Sequence, residues 1–165
     1  MTSNGPQLRS DFLDAYVFRQ HATGAVDVLQ LLRAKEPVRQ TWQPVMGHIE
    51  AGATSVEAFW RELREETTLT PADPGFIAAW SLDGVHPIFI HRLDAIFLCP
   101  RFAVRVTPDW APTLNDEHTD HRWIPAAATQ DYFMWPGQHE SIREITDLLL
   151  RPGSLCEPHL RLDGP

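Results

Sequence analysis

The chain has 165 residues, of which 43% are hydrophobic and 22% charged, and its formal net charge is -8. That composition suits one folded domain with a real core and excludes an intrinsically disordered chain. The acidic balance argues against nonspecific grip on a nucleic-acid backbone, which takes a basic surface, but it leaves room for a small phosphorylated ligand whose charge a bound cation neutralises.

The elements follow in chain order. Residues 1–11 read as a flexible lead-in. Phe12 to Arg19 and Val26 to Arg33 read as strands of an antiparallel hairpin, with Thr23-Gly24 as its turn. Thr41 to Met46 is a short extended piece. Gly47 opens a loop that runs into a helix over about Ser55 to Thr67, with Thr54 or Ser55 as its N-cap. Phe76 to Leu82 is a strand, and Asp83-Gly84 is a hairpin turn signal. Pro87 to Leu98 reads as one long apolar strand, followed by Phe102 to Val106 and by Asp120 to Ile124. Pro125 and Pro136 each start a helical segment, the second running over Gly137 to Arg151. Residues 152–165 read as a tail. The expected fold is α/β: one domain over residues 12–151, with a mixed, mostly antiparallel sheet sandwiched between helices.

Location is read from three features. Cys99 and Cys156 lie far apart with no CxxC, so both are expected as free thiols of a reducing compartment. Met1 to Ser10 lacks the apolar segment of a signal peptide. No apolar run approaches the roughly 18 residues of a membrane span. The expectation is a cytoplasmic protein.

The helix after Gly47 carries the chemistry. At 100° per residue, Glu62, Glu65 and Glu66 fall within one arc, beside an apolar stripe of Val56, Phe59, Trp60, Leu63 and Thr67. Three carboxylates so close repel one another unless a cation intervenes. Oxygen donors of this kind suit Mg²⁺, with Mn²⁺ able to substitute. The plain alternative is a solvated helix face on which Arg61 and Arg64 pair with the glutamates.

These residues resemble the Nudix hydrolase family. Its signature is Gly, five residues, Glu, seven residues, Arg-Glu, an aliphatic residue, any residue, Glu-Glu, any residue, Gly and a final aliphatic. Gly47, Arg61, Glu62, Leu63, Glu65, Glu66 and Leu69 match it; Ala53 and Thr68 replace the first Glu and the second Gly. Trp42-Gln43-Pro44-Val45-Met46, Glu117-His118 with Trp123, and Trp135 to Glu140 look like the bacterial dihydroneopterin triphosphate (dATP) pyrophosphohydrolase branch. The resemblance implies a Nudix fold and Mg²⁺-dependent hydrolysis of a diphosphate linkage in a nucleotide-like small molecule, dATP or dihydroneopterin triphosphate among the choices. It implies a metal held by Glu62, Glu65 and Glu66, with Arg61 orienting the carboxylates. Gly47 would permit an unusual backbone conformation at the metal. Glu117 is the expected general base, with Asp116 and Asp120 behind it in the same loop. Trp42, Phe133 and Trp135 are the aromatics available to stack on a planar base, their ordinary alternative being core packing.

Two functions stand against each other. Retention of the three helix carboxylates favours an enzyme. The loss at Ala53 favours a degenerate nucleotide-binding or regulatory module with little turnover. Neither nucleic acid nor membrane is an expected partner; exposed sheet edges leave a homodimer open.

Overall fold

Phe12–Gln20 forms a strand, β2, whose side chains alternate between two apolar layers. Leu13, Ala15 and Val17 point into one layer and Tyr16 and Phe18 into the other, as the two-residue period of a strand requires. A sheet patterned in this way needs cover on both faces. The structure, a computed structural model, describes residues 5–162 and supplies that cover.

The remaining strands are β1 (Gln7–Arg9), β3 (Val26–Arg33), β4 (Trp42–Gln43), β5 (Val45–His48), β6 (Phe76–Ser81), β7 (His86–Ile90), β8 (Ala95–Cys99), β9 (Arg101–Val106) and β10 (His118–Pro125). The helices are α1 (Ser55–Thr67), α2 (Thr129–Tyr132), α3 (Pro136–Glu144) and α4 (Glu157–Leu160). The main sheet runs β10-β3-β2-β9-β6. Only β2 and β9 are parallel within it. α1 packs Ala58, Phe59, Trp60 and Leu63 on one face. Ile142 of α3, with Ile145 and Leu149 beyond it, covers the other. Each large apolar side chain so buried stabilises the fold by roughly 1.5–3 kcal/mol. The expected α/β sandwich is the observed architecture.

β2 and β3 pair only through Phe18–Gln20 and Val26–Val28, where the turn joins them. At their other ends β4 pairs with β3 and β5 pairs with β2. Pro44, between β4 and β5, has no amide hydrogen for a ladder and marks the break. A short segment is thus wedged into the sheet, and its far end, Gly47-His48, feeds α1.

α1 begins and ends where the sequence places it. Thr54 caps it and forms a full capping box with Glu57. Thr68 closes it with φ 61°, a left-handed conformation in which a β-branched residue is strained. Thr68→Gly should therefore stabilise the protein by about 1 kcal/mol, read as a higher thermal midpoint. An unchanged midpoint would mean that the cap is not strained.

Several expectations are corrected. Within the lead-in, Gln7–Arg9 is a strand, paired in parallel with β8; residues 1–4 lie outside the description. The long apolar stretch from Pro87 is not one strand but the hairpin β7–β8. A tight turn at His91–Leu93 and Asp94 in the left-handed region (φ 45°) reverse the chain. Together β1, β8 and β7 form a small second sheet, so Asp83-Gly84 links two sheets rather than closing a hairpin. The expected helix to Arg151 leaves α-geometry after Glu144 and widens into a π turn over Ile145–Leu149. The C-terminal segment packs: Leu162 N–H donates to the Ala79 carbonyl, and the Trp80 indole donates to Glu157. Residues 163–165 lie outside the description. Cys99 and Cys156 are both free thiols. Among the described residues no helix is long and apolar enough to cross a membrane.

Candidate active site

Gly47 lies within β5, not in a loop, and its backbone is not left-handed. The left-handed residue of this turn is Gly52, at φ 90°. What Gly47 supplies is space. A Cβ there would come within 1.9 Å of the Glu62 carboxyl carbon. The glycine is needed because Glu62 crosses its face.

Arg61 gathers the N-terminal half of the site. Its guanidinium donates to the His48 carbonyl (2.6 Å) and reaches Glu62 (2.8 Å) and Glu65 (3.3 Å). Burial works against its charge, but Glu62, Glu65 and Glu50 outweigh that and hold its proton more firmly than usual. Glu50 thus stands near the exposed turn that carries Ala53, with its field on Arg61. Glu57 belongs to the cap and takes no part.

Glu66 is different. It is 2% exposed, and its Oε2 has no hydrogen-bond partner. The Met46 backbone N–H favours its ionised form, but burial and the charges of Glu62 and Glu117 prevail and push its carboxyl up to about 9. Burial also raises Glu62, opposed by Arg61.

The opposite wall comes from β3, β4 and β10. His118 of β10 is fully enclosed. Its Nε2 lies 4.0 Å from Glu66 Oε2 and 3.4 Å from Gln43 Nε2 of β4, while its Nδ1 has no partner. Burial, with Arg33 nearby, lowers this imidazole to about 4, so it is neutral at physiological pH. Glu117, half-exposed, faces Arg33 of β3 at 3.5 Å. Asp116 turns outward to Lys35, and the Asp120 carboxylate accepts from the His121 N–H; neither joins the cluster.

Of the aromatics named from sequence, Phe133 is in the core, 2% exposed beside Tyr16, and cannot stack on a ligand. Trp135 is 51% exposed at the start of α3. Trp42 is half-buried, with Arg122 lying 4.1 Å over its ring. The sequence gives Arg33 no signal and gives Gln43 no role beyond its place in the Trp42–Met46 run; register brings both in, since Arg33 lies opposite His118 and Gln43 opposite Leu31.

Oxygen donors of this kind suit a hard divalent cation: Glu66 has a buried orphan oxygen, and beyond burial Glu65 raises the proton affinity of Glu62, and Glu62 that of Glu66. As they stand, Glu62 and Glu65 are drawn onto Arg61. Among the described residues no three His, Cys, Asp or Glu side chains converge closely enough to enclose an ion.

The fold is similar to that of known hydrolases. The E. coli dihydroneopterin triphosphate pyrophosphohydrolase superposes with a TM-score of 0.68 at 19% identity, over 84% of this chain and 98% of that one. A C. elegans Ap4A hydrolase gives 0.65 at 17% identity, over 82% and 94%. Among curated proteins, an RNA pyrophosphohydrolase of Halorhodospira halophila is 42% identical over 50 residues, 30% of this chain, and an octanoyltransferase of Myxococcus xanthus is 29% identical over 107 residues, 64% of this chain. The chain spans 28% of the length of each of these two relatives. The NUDIX domain model matches residues 13–145, from β2 through α3 and including the whole acidic helix. By that match, the chain belongs to the NUDIX domain family.

Proposed function

We propose that the protein hydrolyses a diphosphate linkage in a nucleotide-like small molecule, using a divalent cation, Mg²⁺ or Mn²⁺. The observation that carries this reading is Glu66: a buried carboxyl with a free oxygen, in the field of Glu62 and Glu117, lacks the counter-charge that a cation would supply. Glu62, Glu65 and Glu66 would hold the ion. Bound there, it would neutralise phosphate oxygens and acidify a water molecule.

The chain's own groups do the rest. Arg61 ties Glu62 and Glu65 to the His48 carbonyl and so keeps the end of β5 against α1. Glu117 is the proposed proton acceptor, with Arg33 beside it at 3.5 Å. Water oxygen bonds to one phosphorus, its proton passes to the carboxylate, and the bridging P–O bond breaks with pyrophosphate or a nucleotide leaving. Trp135 offers an exposed ring to a planar base and Trp42 a partly exposed one. A purine or pterin triphosphate is the proposed substrate, a reading supported by the likeness to a dihydroneopterin triphosphate pyrophosphohydrolase.

The test is turnover of a panel containing dATP, dGTP, dihydroneopterin triphosphate, ADP-ribose and a dinucleoside polyphosphate, with Mg²⁺, Mn²⁺ or a chelator. Release of pyrophosphate or a monophosphate, abolished by the chelator, is expected. Binding of a nucleotide with no turnover of any member would instead support the degenerate binding module that Ala53 allows.

A further inference from the structure

The apolar run that starts at Pro87 folds into β7 and β8, and both faces of the small sheet they form with β1 are apolar. Register assigns the faces. Ala95, Phe97 and Cys99 of β8 point inward and make a small core with Phe12 and Ile88. Ile96 and Leu98 point outward, paired with Phe89 and Pro87 of β7, and Ile96 also lies opposite Leu8 of β1. Leu8 is 72% exposed, Phe89 58% and Leu98 38%; Pro87 is exposed too, and Ile96, between its neighbours, is partly buried. No outward position of the three strands holds a charged residue. An antiparallel sheet with one wet face alternates apolar and polar residues, whereas continuous apolar strands belong to sheets covered on both sides. β8, and β7 from Pro87 onward, are of the second kind, yet their outer face stands in solvent.

The area and chemistry of this face select its occupant. Val85 and Leu93, 51% and 55% exposed beside the strands, widen the patch to on the order of 500 Å² of apolar surface. That is the apolar share of a standard interface, which covers about 800 Å² on each partner and is about 60% non-polar. A charged partner finds no group to pair with, and a net charge of -8 repels an anionic membrane. The free edge of β7 is a poor docking element, because Pro87 has no amide hydrogen to offer a further strand. The face is also self-complementary. Leu8, Ile96 and Phe89 form one row across the three strands, with Ile96 in the middle. A two-fold axis along β8, with the two sheets about 10 Å apart, lays Phe89 on Leu8 of the partner subunit, twice over.

We infer that the outer face of the β1-β8-β7 sheet is the interface of a two-fold homodimer, in which the Leu8–Ile96–Phe89 row of one protomer packs face to face on the same row of a second copy. This interface is independent of the hydrolase reading, since none of its residues belongs to the acidic cluster.

Sedimentation equilibrium of the full chain at about 1 to 100 μM tests this. The wild type should sediment at twice the chain mass. Leu8→Glu and Phe89→Lys should each weaken dimerisation at least about 100-fold, because the two-fold axis counts each substitution twice. Both side chains are mostly exposed in the monomer, so each variant should keep the wild-type circular dichroism spectrum. Mixing the two variants should restore a dimer. In the mixed pair the introduced glutamate meets the introduced lysine in one row, while the other row keeps Leu8 against Phe89. A misfolded variant could not be rescued in this way. Ile77→Asp, 41% exposed on β6 at the edge of the main sheet, should leave the dimer intact. A wild type that stays monomeric across the range overturns the inference. So does a dimer that survives both substitutions, a dimer that Ile77→Asp breaks, or a mixture that remains monomeric. Flotation of a monomeric wild type with phosphatidylcholine vesicles would make the face a lipid contact and overturn it as well.

Discussion

Glu66→Gln should lower metal-dependent turnover by at least about 100-fold and, in the same protein without metal, raise stability at neutral and alkaline pH. The loss follows from removing an anionic ligand whose charge stabilises the transition state. The gain follows from the burial of Glu66, 2% exposed with an orphan oxygen. Its folded-state carboxyl is raised to about 9 against 4.5 unfolded. Between those values the folded state binds the extra proton, so stability falls as pH rises from 4.5 towards 9. At pH 7 the penalty is about 3 kcal/mol, and glutamine does not carry it. For a chain of this size the variant's thermal midpoint should be higher by roughly 5–10 °C at pH 7, with the difference vanishing below pH 4.5. Thermal melts with chelator across that range are the measurement. A difference independent of pH would show that Glu66 is not strained by its charge; full activity would remove it from the site.

Gly47→Ala should destabilise the protein by about 1–3 kcal/mol and lower turnover more than 10-fold. The methyl would overlap the Glu62 carboxyl group, so Glu62 must leave the β5 surface and take its contact with Arg61 along. Denaturant midpoints of a double-mutant cycle isolate this cause. Combined with Glu62→Ala, which removes the obstructing group, Gly47→Ala should cost little further stability, while activity stays low because the carboxylate is gone. A destabilisation by Gly47→Ala that persists in the Glu62→Ala background would point to backbone conformation instead of space.

The two positions illustrate what was legible. α1 is legible almost to the residue because its information is local: a capping Thr54 or Ser55, the apolar stripe and the three carboxylates lie within one short stretch, and the structure selects Thr54 with Glu57 as the cap pair. The role of Gly47 was misread for the opposite reason. A glycine in sequence announces freedom, but only the packed helix shows that Glu62 occupies the space of its absent side chain. The β7–β8 hairpin was hidden inside a continuous apolar run, since hydrophobic pattern does not mark where such a run folds back. The turn depends on a left-handed Asp94 that carries no glycine signal. The short strand β1 was unreadable because three residues form a strand only when β8 offers an edge.

By itself the sequence determined the sheet sandwiched between helices, the acidic helix and the family, because periodicity, caps and a contiguous motif act over short stretches of chain. The tertiary structure alone decided which charges meet. Arg33, Gln43 and His118 are brought together by strand register and meet Glu66 through the packing of α1, and Arg122 is fixed by Gln30, Trp42 and Tyr132 from three other elements. Burial then sets their proton affinities, and burial is a property of the assembled fold: Glu66 becomes a strained buried acid only when β5, β10 and α1 close around it.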